Sequence, residues 1–191
     1  VLNSGTLLLT NNLVADNLED GVPVNISGSY VGENNLITNA IVVGALENNG
    51  GPTLTMLPLP GSATRDTGSD SVTNYLAADQ LGLSRRSGPH VDIGAVEFQY
   101  PPPLVVTLPA AGVTNTTATL RGTVNPSGYD TLHWFEFGAS TNFGNATPPV
   151  LMSATNVAAA VQSLITGFMP GVTNYARLVA SNVGSIASGG I

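Results

Sequence analysis

Seventeen residues near the start of the chain recur at a fixed distance, and this recurrence limits the available folds more than any other feature. Set 23 positions apart, "GTLLLTNNLVADNLEDG" (5–21) lies over "GSYVGENNLITNAIVVG" (28–44). Gly5 falls on Gly28, Asn11-Asn12-Leu13 on Asn34-Asn35-Leu36, Val14 on Ile37 and Gly21 on Gly44. A period of this length is the mark of a solenoid, whose coils bury their apolar faces only against one another. Short runs of Leu and β-branched residues, broken by Asn and Gly, predict rungs of a parallel β-helix. In such a coil the inward aliphatics stack from rung to rung. Asparagine tolerates left-handed corners and can hydrogen-bond to its counterpart one rung away. The leucine-rich repeat has a similar period, but its fixed leucine spacing is missing here. Two rungs are fewer than the ~3 a solenoid needs for a continuous core. Further rungs upstream, or a neighbouring molecule, are therefore expected to cover the open end.

The next stretch reads as a stop. Gly50, Gly51 and Pro52 make a turn, and Pro58 and Pro60 cannot donate to a ladder. Arg85, Arg86, Asp79 and Asp92 then gather opposite charges in a chain of which only 9% is charged. The expected arrangement is a cap network of Asp79, Arg86 and Asp92, with Arg86 paired to Asp92 or Asp79, tying a final strand "HVDIGAVEF" across the open rung.

The elements Asn49-Gly50-Gly51-Pro52-Thr53, Pro60-Gly61-Ser62, Asp66, Gly68, Asp79-Gln80, Gly82, Arg86 and Asp92-Ile93-Gly94-Ala95 together carry a resemblance. They resemble the end of the choice-of-anchor Q type of right-handed β-helix, found in bacterial surface proteins related in pattern to polymorphic outer-membrane proteins. The resemblance covers roughly residues 1–99. Ala63 stands where that family usually has proline, and Leu81 where it usually has arginine. It implies an extracellular β-helix terminus and no catalytic activity.

The second half follows a different period. "TTATLRGTVNP" (116–126) alternates strictly, with Ala118, Leu120, Gly122 and Val124 on one face and Thr117, Thr119, Arg121 and Thr123 on the other. That is the pattern of a half-buried antiparallel strand. "LHWFEFG", "VQSLITGFMPG" and "NYARLVASNVG" follow at short intervals, as in a β-sandwich. Leu120–Pro126, Phe135–Gly138, Gly167–Gly171 and Arg177–Asn182 resemble a fibronectin type III module of the bacterial extracellular kind, over about residues 104–191. One departure is that Asn174 takes the place of the first aromatic of the usual sixth strand. Tyr175 comes one position later, on the opposite face, so no tyrosine corner is expected. After that strand only Ile186 and Ile191 are large and apolar, so the sandwich is expected to lack its last strand.

Pro101, Pro102 and Pro103 lie between the halves. A polyproline segment extends about 3.1 Å per residue and is semi-rigid. The predicted organisation is all-β: β-helix rungs and cap over 1–99, a Pro-rich linker over 100–103, and a fibronectin-like sandwich over 104–191.

Composition removes several functions. All five basic residues are arginine, the net charge is −7 and the pI is near 4.4, so no basic stripe exists to neutralise phosphates. Nucleic acid and membrane insertion are not expected. Without cysteine there are no disulfides or thiolate metal sites. The opening "VLNSGTLLLT" lacks the positive start of a signal peptide. Either a leader has been removed or the chain is part of something longer.

No catalytic constellation emerges. Asp16, Glu19 and Asp20 lack a basic neighbour, and His90 and Asp92 share a strand face without a nucleophilic serine. "DNLEDG" and "DTGSD" offer oxygen ligands, but neither has the spacing of an EF-hand calcium loop. No cofactor is expected, with calcium in one of these loops as the alternative. Trp134 is the single tryptophan; with Phe135 and Phe137 facing the core, alternation turns Trp134 and Glu136 outward. There the indole can stack on a sugar or anchor a partner, or lie under a covering loop. The resulting expectation is a non-enzymatic structural or adhesive module of a secreted or cell-surface bacterial protein. It would contact copies of itself head to tail, further domains of its own chain, or a surface glycan. The alternatives are a glycan-binding accessory module and the non-catalytic end of a polysaccharide-processing enzyme.

Overall fold

Runs of Leu, Val, Ile and Thr no longer than a few residues, each ended by Asn, Gly or Pro, are too short for helices and suit strands. Strands are what form. The computed structural model describes residues 5–191, and the chain divides into two units, Val1–Gln99 and Tyr100–Ile191. Among the described residues the one helical element is a 3-10 turn at Asp70–Asn74. The protein is all-β.

The first unit holds β1 (Leu7–Thr10), β2 (Leu13–Ala15), β3 (Leu18–Glu19), β4 (Val22–Pro23), β5 (Tyr30–Glu33) and β6 (Leu36–Thr38). β1 runs parallel to β5 with Leu7 opposite Tyr30, and β2 parallel to β6 with Leu13 opposite Leu36. The 23-residue period of the sequence is thus the register of both parallel pairs. β3 and β4 form a hairpin across Asp20 and Gly21, both at positive φ (51° and 79°), the mirror-image turn that matches strand twist. Gly32 sits at φ 130°, and a Cβ there would overlap the Leu9 carbonyl of the facing strand.

The paired asparagines divide their work. Asn11 and Asn34 take the left-handed corners (φ 56° and 50°). Their side chains reach the next segment, Asn11 Nδ2 donating to Ser69 O at 2.9 Å and Asn34 Nδ2 to Thr67 O at 2.8 Å. Their neighbours form the ladder. Asn35 Oδ1 accepts from Asn12 N at 2.9 Å, while Asn35 Nδ2 donates to Leu9 O at 3.0 Å. A second ladder links Asn17, Asn25 and Asn39, with Asn25 Oδ1 accepting from Asn17 N at 3.0 Å and Asn25 Nδ2 donating to Asn39 Oδ1 at 2.8 Å. Backbone groups that a short strand leaves open are closed by amide side chains.

Beyond Thr38 the regular register ends. Isolated antiparallel bridges join Val43 to Pro58 and Glu47 to Thr55. The segment 90–98 departs from expectation and forms no strand. Gly94 at φ 110° breaks its extension, and its bonds go to several segments in turn. Val91 O accepts from Gly68 N, Ile93 N donates to Thr64 O, Gly94 N to Asn11 O, and Ala95 O accepts from Gln80 N, all at 2.8–2.9 Å.

The second unit contains β7 (Leu104–Ala111), β8 (Thr117–Asn125), β9 (Thr131–Gly138), β10 (Asn145–Ala146), β11 (Val150–Met152), β12 (Ala159–Thr166), β13 (Tyr175–Ser181) and β14 (Ile186–Ser188). Two antiparallel sheets result. One has the order β12-β8-β7; in the other, β9 pairs with β10 and β11 on one side and β13 on the other, and β13 pairs with β14. Between them Leu120, Val124, Phe135, Ile165, Leu178 and Ala180 form the core, with Phe137 and Phe168 edge to face at 6.1 Å. β8 buries Ala118, Leu120, Gly122 and Val124 and turns the intervening residues outward. Gly122 has no room for a side chain: a Cβ there would lie 2.5 Å from Leu178 Cδ2 and 2.6 Å from Val106 O.

One expectation gains detail and another needs correction. The prolines read as a semi-rigid linker are bonded within the second unit: Pro103 is fully buried, Pro102 O accepts from Ser127 Oγ at 2.8 Å, and Pro101 O from Asn182 Nδ2 at 3.0 Å. Proline lacks a donor but keeps its carbonyl, and the second unit uses those carbonyls. The last strand is also present, with Ala187 opposite Ala180. Large side chains are not required there, because Gly189 packs against Thr107 where no Cβ fits and donates to Leu178 O at 2.9 Å.

Candidate functional site

Two clusters of polar side chains stand out, one in each unit. In the first unit Arg85, Asp92 and Glu97 are all buried. Arg85 Nη1 meets Glu97 Oε2 at 3.3 Å, and Arg85 Nη2 donates to Asp92 O at 3.0 Å and Gly94 O at 2.6 Å. Glu97 accepts further bonds from Asp92 N (2.8 Å) and Ser87 N (3.1 Å). The Asp92 carboxylate takes Asp66 N at 2.8 Å and Phe98 N at 2.7 Å. Asp79 takes Leu81 N and Leu83 N at 2.9 Å and Glu97 N at 3.0 Å. These carboxylates fold an irregular segment by supplying acceptors that a ladder would otherwise provide.

Of the residues expected to form the cap, Asp79 and Asp92 belong to this network and Arg86 does not. Arg86 pairs with Asp70 at 3.4 Å with its side chain half exposed, and donates to Pro89 O. The buried guanidinium is that of Arg85. Its partner Glu97 was missed from sequence, because alternation with Val96 and Phe98 in "GAVEF" reads as an outward position. His90 also turns away from Asp92 and lies 3.2 Å from Asp70. Asp16, Glu19 and Asp20 are exposed, Glu19 at the end of β3 and Asp20 in the turn after it. Among the described residues no group of three or more His, Asp or Glu is placed to hold a metal.

Burial pushes the Glu97 carboxyl up to about 7, against bonds from Asp92 N, Ser87 N and Arg85 that favour its charge; it raises Asp92 as well. A carboxyl whose folded pKa exceeds its unfolded value holds its proton longer when folded. Stability therefore falls as pH rises from the unfolded value of 4.5 towards 7. The unfolding free energy of the first unit, measured by urea titration, is expected to climb as pH drops from about 8 to about 5, by up to about 3 kcal/mol. Glu97→Gln should flatten the profile; an unchanged slope in that variant would place the titration elsewhere.

The second cluster lies on the outer face of β9 and β13. Phe135 is in the core, so alternation turns Trp134 and Glu136 outward; across the strand pair Arg177 stands opposite Glu136 and Val179 opposite Trp134. Glu136 Oε2 holds Arg177 Nε at 2.8 Å and Nη2 at 2.7 Å, and Trp134 Nε1 reaches Glu136 Oε1 at 3.5 Å. The Arg177 guanidinium lies 4.8 Å from the centre of the Phe143 ring. Trp134 is half-buried, and Val179, although on the outer face, is only 3% exposed. One register step along the same face, Leu151, Leu132 and Ile186 are exposed. A separate apolar cleft of about 690 Å³ opens at one end of the sandwich, lined by Leu120, Phe137, Phe168, Met169 and Ile191 among others.

This architecture defines an all-β protein of two units. No family model matches the chain, and no curated protein matches it. Among solved structures it is similar to the sensor domain of the anti-sigma factor RsgI4 in Pseudobacteroides cellulosolvens. A longer form of that domain shares 17% identity over 46% of this chain and 84% of its own, with a TM-score of 0.33. A shorter form shares 18% over 46% and 92%, with a TM-score of 0.36. Among the described residues, no helix is long and apolar enough to cross a membrane.

Proposed function

We propose that this chain is a structural or adhesive module of a secreted or surface-displayed protein, made of the terminal rungs and cap of a right-handed parallel β-helix and a fibronectin type III-like sandwich. The observation that carries the reading is the pair of parallel registers 23 residues apart, braced by the Asn12–Asn35 bonds. Such a coil is built to continue by stacking, and a cap in which Arg85, Asp92 and Glu97 are spent on backbone groups serves to end it. The three-plus-five strand arrangement, with β7, β8 and β12 facing β9, β13 and β14, supports the sandwich half of the proposal. In this reading the chain bears load or spans distance, and its neighbours are further domains or copies of itself.

Load-bearing is measurable. Held by its two ends in an optical trap, the chain is expected to unfold in two discrete events, one per unit, each releasing about 3.3–3.6 Å per residue. Smooth extension at low force, with no discrete event, would reject the structural reading.

A further inference from the structure

The geometry points to a binding site for a neutral oligosaccharide on the outer face of β9 and β13, completed by the loop 139–144. This goes beyond the structural reading and stands or falls apart from it.

Three observations converge. The first is a held aromatic ring. Phe143 sits at φ 57°, a conformation that is a genuine outlier for a bulky side chain. Backbone outliers of this kind persist only where their surroundings over-determine them, and they gather at binding sites. Here Phe143 N donates to Ser140 O at 3.0 Å, and Gly138 lets the Phe143 carbonyl approach where any Cβ would overlap it. The result sets the ring beside Arg177.

The second is a recess of about 530 Å³ lined by Glu136, Arg177, Phe143, Thr141, Asn142 and Asn145. Those last three make no side-chain hydrogen bond among the described residues, nor does Arg177 Nη1. They offer a hydroxyl, two amides and a guanidinium edge, each able to bond a ligand hydroxyl.

The third is charge. Glu136 and Arg177 cancel each other in a two-point pair, so the site has no net charge to reward an anion or a cation. An anionic polymer would in addition meet a chain of net charge −7. A neutral sugar presents a C–H face to an aromatic ring and equatorial hydroxyls to planar amides. Trp134, two residues from Glu136 on the same strand face and 3.5 Å from its Oε1, supplies a second ring next to the residues that line the recess.

The test uses the intact chain, in which Trp134 is the only tryptophan and its fluorescence reports this face directly. Cellohexaose, xylohexaose, mannohexaose and chitohexaose serve as neutral probes, and a hexagalacturonate as the anionic one. At least one neutral probe is expected to shift Trp134 emission saturably, with a Kd between about 10 μM and 1 mM. Phe143→Ala and the double variant Asn142→Ala, Asn145→Ala should each weaken it about tenfold or more, with the thermal midpoint of the second unit unchanged. Calorimetry with Trp134→Phe checks the same loss without the reporter. No response from any neutral probe at about 5 mM overturns the proposal. So does a response to hexagalacturonate alone, or an affinity untouched by both sets of substitutions. A sugar-independent change in Trp134 emission that tracks a rise in mass by light scattering would assign the face to a second copy of the chain, and also overturns it.

Discussion

Arg85→Ala is expected to cost the first unit about 3–5 kcal/mol near pH 8, and distinctly less near pH 5. The arginine is buried and makes three bonds, to Glu97 Oε2, Asp92 O and Gly94 O. Removing it strands a carboxylate that no other cation among the described residues bonds, and leaves two carbonyls short of a charged donor. Only the first loss depends on pH. Glu97 already titrates near 7, so at pH 5 it is protonated in the folded state and has little charge left to strand. The two carbonyls lose their donor at any pH, at about 1 kcal/mol each, which is the part of the cost that remains near pH 5. Urea unfolding at both pH values, with amide exchange at Val91–Phe98 locating the loss, separates these contributions. An equal loss at both would assign the whole effect to the carbonyls. A loss below about 0.5 kcal/mol would make Arg85 no more important than an exposed charge.

The same residues show what the sequence could and could not convey. The 23-residue period was legible because each repeat has the same Asn-Asn-Leu-aliphatic order, and the parallel registers keep it. The division between corner and ladder asparagines was not, since two adjacent residues of one type carry no mark of which turns left-handed. The polar cluster of the first unit was legible as a concentration of charge and turn residues, but the sequence pointed to Arg86 as its cation where the structure has Arg85. Arg85 and Arg86 are adjacent and chemically identical; which one is buried depends on the path of segment 90–98, and Gly94 bends that path away from the strand its apolar pattern suggests. Glu97 was hidden for the same reason. On a regular strand its alternation with Val96 and Phe98 would turn it outward, whereas in the irregular segment Val96 and Glu97 are both buried.

In the second unit, period-2 alternation located most of β8 and the outward face of β9 directly, because a flat half-buried strand leaves little else to decide. The short closing strand β14 was missed because small residues make it, and their role is to let backbones approach. The recess beside Trp134 was half legible. The tryptophan and Glu136 follow from alternation, while Arg177 joins them only through the β9–β13 register, and Phe143 only through a backbone conformation that its side chain does not favour.

That alternation can be tested within a single strand. Phe135→Ala is expected to destabilise the second unit by about 3–5 kcal/mol, while Trp134→Phe, one residue earlier, should cost less than about 1.5 kcal/mol. Phe135 is 2% exposed and lies opposite Leu178 in the register, with Leu120, Val124 and Ile165 in the same core cluster. Its ring therefore reaches across both sheets, and truncation leaves a cavity whose walls are held by antiparallel ladders on each side. β9 is fixed further where Phe135 N donates to Thr147 Oγ1 at 2.9 Å and Phe135 O accepts from Thr147 N at 2.9 Å, so the strand cannot shift inward to fill the space. Packing of this kind relaxes little, which places the cost towards the upper part of the range. For a unit of this size the loss corresponds to a fall in thermal midpoint on the order of 20 °C, and it consumes a large share of the 5–15 kcal/mol typical of a domain. Differential scanning calorimetry, with amide exchange at β8 and β13 as the local readout, measures it. Should Phe135→Ala cost no more than Trp134→Phe, β9 would have to present its faces the other way round, and the outward placement of Trp134, Glu136 and the recess beside them would fail with it.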